Sequence, residues 1–366
     1  MMMRNWSGGK RILLFLAMTF AITYIYELLI LPPALEANPA AATYLIAVVM
    51  LFPALCVLLT RLISREGFRD AWILPHFRGH IRYYLIGWLS PIVLIILGGL
   101  LYFLLFPGKF DANMGYMHES YAAAGLTFSA GEIKTQVILQ LVLGLLTAPL
   151  VNIFFTLGEE WGWRGYLLPK LTEKFSILPT LLISGLIWGL WHAPLIALGH
   201  NYGLGYSGFP WTGILAMCAF CLVVGTLFSY ITLKTRSCLP AAVAHGSLNG
   251  FAAAGIMFTF SAANINPFIG PAPTGIIGGS GFLITALILL AMMLRQQKAG
   301  QLIAPPAGPQ TAAAAPWEQP VHNGAPLYYA VRSGAADAEG SGQARHDAPQ
   351  PGAAGSAADP AAAEQE

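Results

Sequence analysis

Apolar positions along this chain form long unbroken runs rather than the alternating or 3.6-residue patterns of water-soluble elements. Eight runs approach the roughly 20 residues that a helix needs to cross a bilayer core. They lie at about 11–32, 44–64, 83–107, 135–158, 177–199, 211–233, 238–260 and 276–294. The predicted fold is therefore all-α, a polytopic membrane protein with about eight transmembrane helices. Arg4, Lys10 and Arg11 precede the first run, whose apolar length exceeds the roughly 7–15 residues of a cleaved signal, so an uncleaved anchor is expected.

The polar segments between the runs carry the orientation signal. Numbering outward from an internal N-terminus, the inner segments hold Arg4, Lys10, Arg11, Arg61, Arg65, Arg69, Arg78, Arg82, Arg164, Lys170, Lys174, Lys234, Arg236, Arg295 and Lys298. The outer segments hold only Lys109 and Lys134. That asymmetry predicts an N-in, C-in topology. From about Ala299 the runs stop, and Ala, Pro and Gly dominate to the end. Such a segment has little to bury and is expected to stay disordered on the cytoplasmic side. Four regions follow: helices 1–3 and their loops in 1–134, a transmembrane core in 135–260, a last helix in 261–298, and the tail in 299–366.

Composition agrees. The chain is 56% hydrophobic and 10% charged, against about 25% charged in soluble domains. A net charge of +2 without a basic tract gives no reason to expect a nucleic-acid partner. The expected surroundings are a lipid bilayer, as a multi-pass protein of a bacterial cell membrane. Cys218 and Cys221 form a C-x-x-C inside an apolar run, where small thiols are ordinary core residues.

Ionisable residues inside such runs are costly and mark function more often than packing. Glu27, near the end of the first run, is expected to snorkel to the outer surface. His200 falls in a polar turn. The remaining set is Glu159 and Glu160 at the end of run four, His192 in run five, and His245 with Asn249 in run seven. His245 and Asn249 are four apart and share a helix face, as do Glu160 and Arg164, which should pair. Glu159, rotated by about 100° from Glu160, has no cation on its own helix and calls for a partner from another. Gly185-x-x-x-Gly189 before His192 and Gly246-x-x-x-Gly250 around Asn249 predict close helix packing there. Trp188, one turn before His192, is placed to pack on its imidazole.

This set permits two chemistries. Glu159, His192 and His245 could ligate a divalent metal such as zinc and activate its water. Alternatively Glu159 takes a proton from a water held between it and His192, while His245 and Asn249 donate to the oxyanion of a tetrahedral intermediate. Both lead to peptide hydrolysis by an activated water.

Glu159-Glu160-x-x-x-Arg164, Trp188-x-x-x-His192 and His245-x-x-x-Asn249 in this order resemble the CPBP family of intramembrane proteases, the CAAX protease and bacteriocin-processing or Abi group. The resemblance covers about residues 135–260. It implies Glu159 and His192 as water activators, His245 and Asn249 as further catalytic or ligand groups, and Glu160 and Arg164 as braces. It also departs from the family in one place, since the second motif often begins with Phe and here has Trp188. A membrane scaffold or immunity protein of the same family is the alternative reading. A third is a rhomboid-like serine protease, from Gly278-Gly279-Ser280-Gly281 with His245 as base, although its serine would then follow its histidine.

Overall fold

A computed structural model describes residues 6–38, 41–262 and 265–304, and most of the tail expected to be disordered lies outside them. Every regular element among them is helical: α1 Gly8–Ala37, α2 Ala42–Ile63, α3 Ile81–Leu105, α4 Gly115–Ala123, α5 Ala130–Leu146, α6 Ala148–Val151, α7 Ile153–Glu160, α8 Leu168–Thr172, α9 Ile177–Trp191, α10 Ala193–Ala197, α11 Trp211–Thr235, α12 Leu239–Phe251 and α13 Ser280–Lys298. Six helices among the described residues are long and apolar enough to cross a membrane: α1, α2, α3, α11, α13, and α12 with the turns that carry it to Phe258. The protein is an all-helical, multi-pass membrane protein.

The two other predicted spans are broken, and prolines break them. Pro149 has no N–H to donate to the carbonyl four residues back. The run 135–158 is accordingly split into α5, α6 and α7, and the freed Leu145 carbonyl accepts a 2.8 Å hydrogen bond from the Trp88 indole on α3. Pro194 acts alike in the run 177–199. The Leu190 carbonyl accepts from the Tyr24 hydroxyl on α1 at 2.7 Å, and the helix breaks at His192 between α9 and α10. In α1 the pair Pro32-Pro33 is preceded by a π-turn, Tyr26–Ile30, closed by the Leu31 N–H on the Tyr26 carbonyl.

Pro169 does the reverse of a stop. A π-turn, Trp161–Leu167, lets the Leu168 N–H reach the Trp163 carbonyl five residues back, and the helical path continues through α8 to Thr172. Glu159 thus lies 13 residues above the end of α8 and Trp188 lies 11 above the start of α9. At 1.5 Å per residue these arms are about 20 and 17 Å long, so a hairpin brings the two side chains level.

Close approach holds this hairpin to its neighbours. A Cβ on Gly189 would lie 2.4 Å from the Cys218 Cα, so α9 rests backbone-to-backbone on α11. A Cβ on Gly250 would lie 2.2 Å from the Ala148 Cβ, which seats α12 on α6. Both helix pairs sit where the small-residue spacing predicts contact. All four cysteines are buried and free. Beyond α13, Leu302 is buried in one cluster with Leu168, Ile177 and Leu233, and the Ala304 N–H donates to the Leu233 carbonyl at 3.0 Å.

Candidate active site

Four helices bring the polar set together. From the junction of α6 and α7 to the π-turn, Asn152, Thr156, Glu160 and Arg164 recur every four residues, and the first three of them meet α12. Asn152 donates to the Gly246 carbonyl at 3.3 Å and Thr156 to the Ala242 carbonyl at 2.8 Å, fixing the register of α7 on α12. Two turns on, Glu160 is fully buried and bridges two partners. Arg164 lies 3.1 Å from its Oε2, and His245 Nδ1 on α12 lies 2.9 Å from its Oε1.

The Arg164 guanidinium, 1% exposed, stacks 4.0 Å above the Trp188 ring. It occupies space left by Gly225 of α11, where a Cβ would come within 2.9 Å of it. The Trp188 indole N–H in turn donates to Glu159 Oε2 at 3.1 Å. Glu159 and Glu160 are therefore linked through Arg164 and Trp188 as well as through the backbone. The expected pairing of Glu160 with Arg164 is present. Glu159 has no cation on its helix, and its partner is Trp188, with His245 Nδ1 at 3.9 Å.

The histidines are oriented by backbone and carboxylate acceptors. A carbonyl can only accept, so the 2.8 Å contact of His192 Nδ1 with the Trp188 carbonyl puts the proton on Nδ1 and leaves Nε2 free. His245 Nδ1 is engaged by Glu160, which leaves its Nε2 edge free as well. Trp188 stands between the two imidazoles, 6.0 Å from His192 and 5.7 Å from His245 between ring centroids. Glu159, Trp188, His192, His245 and Asn249 all line one cavity of about 140 Å³, which is large enough for several waters. Asn249 is exposed, and Trp191, His200, Asn201 and Thr274 complete the polar part of the lining.

A metal centre would need its donors gathered around one point. Zinc ligands stand about 2.0–2.2 Å from the ion and hence within a few ångströms of one another. Among the described residues, the donors within 4.8 Å of each other belong to Glu159, Glu160 and His245, without His192. In that group Glu160 is committed to Arg164 and to the Nδ1 proton of His245. The arrangement is a hydrogen-bonded network centred on Glu160, and the Glu159, His192 and His245 donors are not gathered at ligand spacing. The residues as placed do not fit a metal centre.

Two other features depart from expectation. Ser280 opens α13 outside this cavity, and no hydrogen bond joins it to His245 among the described residues. Glu27 does not snorkel: it is fully buried, inside the π-turn of α1, with neither carboxyl oxygen hydrogen-bonded. Sequence reasoning assigned it to the water surface and passed over Asn152 and Thr156. The signal was available in the four-residue spacing of Phe15, Thr19, Thr23, Glu27 and Leu31, all of them buried.

Comparison with known proteins locates the same region. Residues 134–251 match the profile of the Rce1-like family, described as type II CAAX prenyl endopeptidase Rce1-like. A CAAX prenyl protease 2 from Methanococcus maripaludis is 30% identical over 86 residues, which is 23% of this chain and 31% of that relative. The chain thus spans less than a third of that curated relative's length. The matched region runs from Lys134, one turn into α5, to Phe251, the last residue of α12, and every cavity residue from Glu159 to Asn249 falls inside it.

Proposed function

We propose that this multi-pass membrane protein, which carries an Rce1-like domain, is an intramembrane endopeptidase that hydrolyses a membrane-associated polypeptide by a water activated between Glu159 and His192. The observation that carries this reading is the convergence of Glu159 from α7, His192 from the break between α9 and α10, and His245 and Asn249 from α12 on one cavity.

Each group has a definable task. Trp188 N–H holds one oxygen of Glu159, leaving the carboxylate's other oxygen to take a proton from water. His192, with its proton fixed on Nδ1, accepts a hydrogen bond from the same water at Nε2 and aims it. The hydroxide adds to the substrate carbonyl, and the Asn249 amide donates to the resulting oxyanion together with the Nε2–H of His245, which acts as the imidazolium paired through Nδ1 with Glu160. Glu159 then returns its proton to the leaving nitrogen as the C–N bond breaks, which restores the starting carboxylate. Glu160 and Arg164 act through His245 and Trp188, whose positions they set.

The substrate proposed is a polypeptide with a prenylated C-terminus, on the likeness to the CAAX prenyl protease 2. The test is cleavage of a farnesylated CAAX peptide by the purified full chain in lipid nanodiscs. Glu159→Gln and His192→Ala should each lower kcat by roughly 10²–10⁴-fold with the fold intact, while Ser280→Ala should cleave as wild type. Wild-type turnover by Glu159→Gln would refute the mechanism. A cellular phenotype that survives Glu159→Gln would favour the scaffold reading instead.

A further inference from the structure

We propose that His200 and Asn201 form a subsite for the terminal carboxylate of the substrate, so that the protein cuts close to a free C-terminus. The inference rests on the peptidase reading of Glu159 and His192 and adds to it the groups that set where along a chain they act.

Four titratable groups line the catalytic cavity: Glu159, His192, His200 and His245. Three are held by hydrogen bonds, Glu159 by the Trp188 indole, His192 by the Trp188 carbonyl and His245 by Glu160. The His200 imidazole has neither a hydrogen bond nor an ion pair among the described residues. Its backbone, in contrast, is fixed. The His200 N–H donates to the Leu195 carbonyl at 3.0 Å, and its carbonyl accepts from the Tyr202 N–H at 2.8 Å. Tyr202 is buried and stacks on Phe268 of the α12–α13 connection, 5.1 Å between ring centroids. Asn201, between the two, has left-handed backbone with φ 65°, which asparagine adopts more readily than most residues. Its amide donates only to the Met217 sulfur, a weak acceptor, at 3.8 Å. A rigid turn therefore presents an imidazole and an amide to the cavity with their hydrogen-bonding capacity unspent.

Charge decides what these groups would bind. Glu159, buried at one end, is the single acid in the lining, while Asn201 and Asn249 are exposed at the open end. An anionic group on the substrate is repelled from Glu159 and finds donors at the turn. Burial pushes His200 below the ordinary imidazole range, so the ring is neutral on its own. A carboxylate beside it favours the imidazolium and gains a charge-assisted hydrogen bond, with the Asn201 amide as a second donor. The spacing is suitable. α10 starts at the residue after His192, its five residues rise about 7 Å, and His200 follows three residues later. An extended leaving peptide of two or three residues spans about 7–10 Å. With its scissile bond at Glu159 and His192, such a peptide brings its terminal carboxylate to the turn.

The test uses two farnesylated CAAX peptides of one sequence, one ending in a carboxylate and one in a carboxamide, with the full chain in lipid nanodiscs. Wild type should favour the acid by roughly 10–10²-fold in kcat/KM, the worth of one charge-assisted hydrogen bond, with the difference lying in KM. His200→Ala should bring the ratio to within a few-fold of one by raising KM for the acid. His200→Gln keeps a donor but cannot take a charge, and should retain only a few-fold preference. Equal cleavage of the two peptides by wild type overturns the proposal, and so does a full preference in His200→Ala or His200→Gln. Binding of the two peptides to Glu159→Gln makes the same comparison without turnover. There the acid should bind tighter by the same ratio, and adding His200→Ala should abolish the difference. Failure of the peptidase reading would show separately, as wild-type turnover by Glu159→Gln, and the binding ratio would then decide the subsite alone.

Discussion

Removing Arg164 tests the network that positions the site. Its guanidinium is 1% exposed, lies 3.1 Å from Glu160 and stacks 4.0 Å above Trp188. Breaking a buried ion pair by deleting one partner costs about 3–5 kcal/mol, because the other charge is left uncompensated. The lost stacking adds about 1–2 kcal/mol for a desolvated cation over tryptophan. Part of this overlaps, so Arg164→Ala should lose about 5 kcal/mol, which is more than a 10³-fold change in the folding equilibrium. Against a typical total of about 5–15 kcal/mol, that places the variant at the edge of folding. Arg164→Lys keeps the charge but not the planar stack, and should lie between.

The decisive member of the series is Glu160→Gln combined with Arg164→Met. Removing both charges eliminates the uncompensated one, so stability should return to within about 2 kcal/mol of wild type. Activity should not return. His245 Nδ1 would face an amide instead of a carboxylate, and Trp188 would lose the cation that seats it, so kcat should stay about 10²-fold down. Stability is read by equilibrium unfolding in mixed micelles and activity by peptide cleavage in nanodiscs. An Arg164→Ala variant within 1 kcal/mol of wild type would refute the buried-network argument. A fully active double variant would refute the positioning role of Glu160.

Other consequences are simpler. Gly189→Val places side-chain atoms against the Cys218 backbone, where a Cβ alone would stand 2.4 Å from the Cα; it should destabilise by about 1–3 kcal/mol, and Cys218→Ala should not rescue it because the obstacle is backbone. Thr156→Val leaves the Ala242 carbonyl without a 2.8 Å hydrogen bond and should cost about 1 kcal/mol, with a proportionate loss of activity only if α7 shifts on α12. A chelator strong enough to strip zinc should leave turnover unchanged, since of the gathered donors Glu159, Glu160 and His245 the Glu160 carboxylate is already taken by Arg164 and His245; loss of activity reversed by added zinc would overturn the metal-free mechanism.

The linear sequence by itself determined that the chain is an all-helical membrane protein, and it singled out the cavity residues. Both follow from local physics. Long apolar runs have one stable backbone state in lipid, and charges inside them are rare enough to stand out, as Glu159, His192 and His245 do. Four-residue spacing was sufficient for the Glu160–Arg164 pair, since i and i+4 are neighbours on any helix. What tertiary structure decided was who meets whom across helices. That His245 is bonded to Glu160 while Glu159 is held by Trp188 depends on how α12 and α9 are rotated about α7. The breaks at Pro149 and Pro194 were local, but their tolerance was not: Trp88 and Tyr24, distant in sequence, satisfy the carbonyls those prolines free. Glu27 shows the limit most clearly. In sequence it is one acid near the end of an apolar run, and only packing of α1 against α2 and α10 turns it from a group that could reach water into one that cannot.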